Sequence, residues 1–173
     1  MGGMAVTSFP VRRMCNGALA GLAGIAAWII VMPWDKRLFR SDYDDIELLG
    51  TPFARGRAAW FLGLVLHMLN GITFGAVYAL AAEPNLRGSG WLRGFITAKL
   101  EGATFSTFCP VLDRIHPGIR GGRAGKTATL PAVAQGIYGT PYLGLSLASS
   151  LRSWSKGRTL ATHRDDRYLL RSV

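Results

Sequence analysis

Between Arg57 and Glu83 the chain carries no charged side chain, and this stretch constrains the fold more than any other. The segment Ala59 to Ala82 is apolar or small apart from a few embedded polar residues, chiefly His67, Asn70 and Tyr78. A helix rises about 1.5 Å per residue, so the segment reaches across the roughly 30 Å hydrocarbon core of a bilayer. It reads as a transmembrane helix, and the rest of the chain is placed relative to it.

Only 17% of the 173 residues are charged and 49% are hydrophobic, whereas a soluble domain carries about 25% charge. The composition is that of a polytopic membrane protein. A net charge of +10 in a soluble chain would suggest nucleic acid. Here the basic residues sit in termini and loops beside apolar segments, where they orient helices and meet anionic headgroups. No nucleic-acid partner is expected.

The expected fold is all-α: four transmembrane helices at about 13–32, 59–82, 91–112 and 130–151, forming a single four-helix domain over 1–151. A basic tail, 152–173, follows and is expected to meet anionic lipid. Arg12 and Arg13 precede the first apolar run, yet no small-residue cleavage site comes before Pro33, so an uncleaved span is expected in place of a signal peptide. Gly17, Gly21 and Gly24 recur at steps of four and three, a Cβ-free ridge that admits a close neighbour. The short Pro84 to Gly90 connection makes the second and third spans antiparallel neighbours. Pro110 and Pro117 are expected to end the third helix, and Gly139 with Pro141 to kink the fourth.

Two local motifs invite a chemical reading that their spacing denies. The loop from Pro33 to Ala58 sets Lys36, Arg37 and Arg40 against Asp42, Asp44, Asp45 and Glu47. It lacks the glycine and glutamate positions of an EF-hand, so a solvated, internally neutralised loop is expected and no metal. Gly125-Lys126-Thr127 looks like the tail of a phosphate-binding loop, but Arg120 stands where the first glycine is required. Cys15 and Cys109 are expected on opposite membrane faces, too far apart for a disulfide.

The halves of the chain echo one another. Setting Gly17 against Gly94 aligns Pro33 with Pro110, and Asn70-Gly71-Ile72 has its counterpart in Gln135-Gly136-Ile137. A duplicated helical hairpin, with both copies in the same orientation, is one reading; chance recurrence of small residues is the other.

Along span two, His67, Asn70, Gly71, Phe74 and Tyr78 follow helical steps and share one stripe. Span three repeats the pattern with Gly94, Ala98, Glu101, Gly102, Phe105 and Cys109, and span four with Gln135, Gly139 and Tyr142. Polar groups avoid lipid and small residues permit contact, so these stripes should face inward as a polar seam. The seam candidates are His67, Asn70, Tyr78, Glu101, Gln135 and Tyr142. The packing candidates are Gly17, Gly21, Gly24, Gly71, Gly75, Gly94, Gly102 and Gly139. Depth counted from Pro84 brings Asn70 and Glu101 level, with His67 about a turn away. A bis-histidine haem site is excluded because His116 and His163 lie in a loop and the tail. No catalytic cluster and no cofactor are expected.

The pattern His67-x-x-x-Gly71-x-x-Phe74-Gly75-x-x-Tyr78, then Glu83, a short turn, and Gly94 leading to Pro110, resembles the YagU-type family of small bacterial inner-membrane proteins. The resemblance covers roughly Leu66 to Pro110. It implies a multispanning protein of the bacterial cytoplasmic membrane and carries no catalytic residue to transfer. Lys and Arg counts lean slightly towards cytoplasmic termini. The first expectation is a structural or accessory membrane component, acting as a homo-oligomer or in a larger membrane complex. The alternative is a small transporter or proton-conducting protein that uses the Glu101, His67 and Asn70 seam.

Overall fold

A computed structural model describes residues 8–136 of the chain. Among the described residues the structure is helical and contains no strand. Helix α1 spans Ser8–Phe39, α2 Asp45–Gly50 and α3 Arg57–Val77. A π turn, Tyr78–Ala82, and a short α4, Glu83–Asn85, extend α3; α5 spans Gly90–Ile115 and α6 Pro117–Arg120. A further helix, α7, occupies 130–136. Two stretches, Val11–Phe39 and Arg57–Asn85, are long and apolar enough to cross a membrane. Helix α5 carries Arg93, Lys99 and Glu101 along its length and does not share that composition. The expected fourth span lies mostly outside the described residues, as do Gly139, Pro141, Tyr142 and the basic tail.

The first two long helices pack antiparallel through their glycines. A Cβ at Gly17 would strike the Gly75 carbonyl, and one at Gly21 the carbonyl of Gly71. Conversely, a Cβ at Gly75 would strike the Gly17 carbonyl, so the two backbones touch with nothing between them. Such backbone contact is how helices associate where burial from water gives no driving force. Gly24 and Gly94 are buried and Gly102 half-buried. The buried face of α3 extends the stripe read from the sequence: Ala59, Gly63, His67, Gly71 and Gly75 recur every fourth residue.

Helix α5 ends just before Pro117, as expected, but not at Pro110. Helix α1 runs through Pro33 to Phe39, and α5 runs through Pro110 to Ile115. A proline removes one intrahelical bond, and packed neighbours make that tolerable. What ends α1 is a left-handed residue, Arg40 at φ 51°, after which the Ser41 amide donates to the Lys36 carbonyl at 2.9 Å. This is the six-to-one closure of a Schellman turn.

The chain then turns back on itself, and the expected solvated loop is corrected here. Tyr43, Ile46, Leu48 and Thr51 are buried. Helix α2 lies antiparallel to the first turns of α3, so close that a Cβ at Gly63 would meet the Ile46 carbonyl and one at Gly50 the Ala59 carbonyl. Asp44 Oδ1 caps α2 by accepting the Ile46 and Glu47 amides at 3.0 Å each. Its Oδ2 accepts from Lys36 Nζ at 2.9 Å, and its amide donates to the Ala124 carbonyl at 3.0 Å. Of the charge pairs expected in the loop, Lys36–Asp44 is the one that closes.

That last bond joins the two interhelical loops. Tyr43 and Leu48 of the first pack with Ile119, Ala124 and Ala132 of the second segment into one apolar cluster. Thr127, buried, donates its amide and hydroxyl to Asp113 Oδ1 at 2.7 Å each, and the Ala128 amide donates to Asp113 Oδ2 at 3.1 Å. At the opposite end, Glu83 links Arg13 of α1 at 3.4 Å to Arg93 of α5 at 4.0 Å. Both cysteines are free, as expected.

Candidate functional site

Helix α5 stands off from the tightly joined α1–α3 pair. It packs chiefly on α6, α4 and the π turn, and the second loop is bonded to it through Asp113. The gap that this leaves, beneath the interlocked loops, is a cavity of about 210 Å³. Helix α1 contributes Ile25 and Trp28; the first loop with α2 contributes Tyr43, Asp45, Leu48 and Leu49. Helix α3 supplies His67 and Asn70, and α5 supplies Glu101, Gly102, Phe105, Ser106 and Cys109. Thr127, Ala132, Val133 and Gly136 complete the wall.

Three of the six seam candidates, His67, Asn70 and Glu101, therefore meet at one place. The helical stripe explains His67, which projects from the buried glycine face of α3. The imidazole is 8% exposed, and its Nε2 has no hydrogen-bond partner. Asn70, one residue before Gly71, is exposed, as are Phe105 and Ser106, and these mark the open side of the cavity. Glu101 is half-buried.

The other candidates separate from this group. Tyr78 is 1% exposed but belongs to a different cluster, with Ala20 and Ile25, and its hydroxyl is unpartnered. Gln135 is fully buried with both amide atoms unpartnered; its neighbour Gly136 lines the cavity, whereas Gln135 does not. Among the described candidates, His67, Asn70 and Glu101 line the cavity, while Tyr78 and Gln135 are buried outside its lining.

Sequence reasoning missed Trp28, Tyr43, Asp45 and Thr127. Trp28 Nε1 donates to Asp45 Oδ2 at 2.8 Å, which ties α1 to the first residue of α2 and fixes the carboxylate at the cavity wall. Tyr43 also hydrogen-bonds Asp45. Burial first, and then the negative charge of Asp45, push the Tyr43 phenol well above its ordinary range, so it acts as a neutral donor. The one signal available in the sequence was Tyr43, Ile46 and Leu48 interleaved with the acids, an apolar alternation that a solvated loop does not need.

Around the loops, two further groups have fixed charge states. Burial raises the Asp113 carboxyl, but hydrogen bonds from Thr127 and Ala128 outweigh it and hold the group below its usual range. Burial lowers His116, and a bond to the Leu48 carbonyl offsets part of that shift. His116 Nδ1 accepts the Gly118 amide at 3.2 Å, so the imidazole caps the N-terminus of α6. Lys99 Nζ lies 5.4 Å from the Phe95 ring centroid, a cation–π contact on its own helix.

No group of three or more His, Cys, Asp or Glu side chains is arranged to hold a metal ion among the described residues. What the site offers is an apolar and aromatic chamber with carboxylates on two walls, an unpartnered imidazole nitrogen on a third, and no basic side chain among the described lining residues. A comparison with protein-family models, with characterised proteins and with solved structures finds no match for this chain.

Proposed function

We propose that the chain is a four-span protein of the bacterial cytoplasmic membrane and that it works as a small transporter, with the cavity as the place where the carried species sits. Membrane embedding is supported by the outward faces of the helices. Leu19 and Ile30 on α1, Phe61, Leu69 and Val77 on α3, and Leu100, Phe108 and Val111 on α5 are all exposed. Water would penalise so continuous an apolar surface, and lipid would not. The α5 residues extend that argument to a third span. Trp34 and Trp60 lie exposed at the loop end and Trp91 at the other. Counted along α3, the two ends are separated by roughly 30 Å, as interfacial aromatic belts are.

The observation that carries the transporter reading is the cavity together with the loop that enters it. Non-helical backbone at membrane depth is tolerated where it is buried in protein or lines a water-filled space. The first loop turns back beside α1 to the level of Trp28, and then α2 runs out along α3. The competing structural or accessory reading rests on glycine ridges seeking partners. In this fold Gly17, Gly21, Gly71 and Gly75 already face one another within the chain, which leaves that ridge unavailable to a second protein. The YagU-type resemblance fits either reading, since it concerns topology.

The test is proton flux in sealed proteoliposomes that contain a pH-sensitive dye, under an imposed potential. Flux in the wild type that falls to the level of empty vesicles in Glu101→Gln supports a pathway through the cavity. Equal, negligible flux in both, with insertion verified by protease protection, returns the protein to the accessory class.

A further inference from the structure

We infer that the cavity recognises a small organic cation, of the class of protonated primary amines, held between Asp45 and Glu101. The inference rests on reading the cavity as the working site, and it adds the chemistry of the occupant. Asp45 and Glu101 enter from α2 and α5, so two carboxylates on different helices line one space. No Lys or Arg stands among the described lining residues to balance them. Two carboxylates in such surroundings require a compensating positive charge or protons. The described residues provide no metal-binding cluster, and the walls are aromatic.

Trp28 and Phe105 bring ring systems to the same chamber as the carboxylates. An ammonium group gains from an aromatic face and from a carboxylate together, while its alkyl part is accommodated by Ile25, Leu48 and Val133. The second, independent sign of an occupant is His67. Its side chain is more than nine-tenths buried, faces the cavity, and has Nε2 left without a partner. A buried polar atom of this kind is costly unless something in the cavity meets it. An ammonium carries three donors, which suffices for both carboxylates and for one further acceptor on the wall. At about 210 Å³, with one side open, the chamber admits a compact amine.

Isothermal titration of the purified full-length protein in lipid nanodiscs is the test, with isobutylamine, isobutanol and isobutyrate as probes of one carbon skeleton and three charges. Empty nanodiscs provide the baseline for partitioning. The expected result is saturable binding of isobutylamine, at least about tenfold weaker binding of isobutanol, and none of isobutyrate. Asp45→Asn, which keeps an oxygen for the Trp28 indole, and separately Glu101→Gln should each weaken the amine by about tenfold or more without changing the melting profile. Equal binding of amine and alcohol, insensitive to both variants, overturns the cation assignment while leaving a solute-binding cavity. Binding of none of the three, by protein that still shows proton flux, also overturns the assignment and leaves the transporter reading intact. Absence of both binding and flux removes both.

Discussion

The α1–α3 contact and the gap between that pair and α5 use small residues to opposite ends. In the first, Gly17, Gly21, Gly71 and Gly75 are spaced so that each backbone fills the room a side chain would need. In the second, Gly136 lines a chamber of about 210 Å³, and a Cβ there would meet nothing within 4 Å. The lesson is that a glycine stripe on an apolar helix does not by itself say contact. It says that the backbone is uncovered, and whether another helix or a cavity takes up the space depends on what the loops allow. Here the interlocked loops, through Asp44, Thr127 and His116, set how far α5 stands from its neighbours.

The largest expected effect comes from breaking the tight side. Gly71→Leu drives a side chain into Ile25 and towards the Gly21 carbonyl, and should cost about 3 kcal/mol or more, or abolish insertion. Thermal denaturation in detergent, followed by loss of the monodisperse peak in size exclusion, measures it. A melting temperature like that of the wild type would mean that the two helices do not touch through these glycines.

The loops that hold the gap open come next. Thr127→Val removes a hydroxyl bound to Asp113 and should cost about 1–2 kcal/mol by chemical denaturation. It should also alter the amine binding described above, since the loop forms one wall of the cavity. A stable variant with unchanged binding would separate loop docking from cavity shape.

The same loops predict a pH dependence with a definite sign. Asp113 is held below its ordinary carboxyl value, so its contribution is full above the unfolded value near 3.8 and is lost as pH falls through the lower folded value. His116 is held below its ordinary 6.5. For this base the neutral form is favoured by folding, so stability is full above 6.5 and declines as pH falls from there towards the folded value. Melting temperatures between pH 8 and 5 should therefore fall on acidification, with the earlier decline missing in His116→Gln. A flat profile in the wild type would show that His116 is not locked between α6 and Leu48.

The smallest effect sharpens the comparison from the loose side. Gly136→Ala puts a methyl group into open space beside the cavity and should be neutral or stabilising by about 0.5 kcal/mol, since alanine suits a helix better than glycine. The opposite signs at Gly71 and Gly136, measured in the same assay, would establish that one site is filled and the other is not. Destabilisation by more than about 2 kcal/mol at Gly136 would show packing where the cavity is drawn.

Much of this was legible residue by residue. The steps of three and four that joined Gly17 to Gly21 and His67 to Gly71 and Gly75 are local, set by helical geometry, and they place those residues on buried faces without any tertiary information. The uncharged run after Arg57 dictated α3 for the same reason. Asn70 and Glu101 could be matched in depth, with His67 about a turn away, because the Pro84 turn is short enough to fix the register of its two helices.

What the sequence could not yield was the partner of each polar group. Asp45 looked like one acid among several in a water-facing loop, because its neighbours in sequence are charged. Its position at a cavity wall depends on Trp28, far back in α1, on the left-handed turn at Arg40, and on Gly50 and Gly63 letting α2 lie against α3. Those are contacts between distant residues, and no periodicity encodes them. The sequence by itself determined the two long apolar helices and which of their faces turn inward, since both follow from the regular geometry of a single helix. Only the tertiary structure decided which inward faces close on one another and which enclose a cavity, because that depends on the height at which two loops, separated by seventy residues or more, lock together.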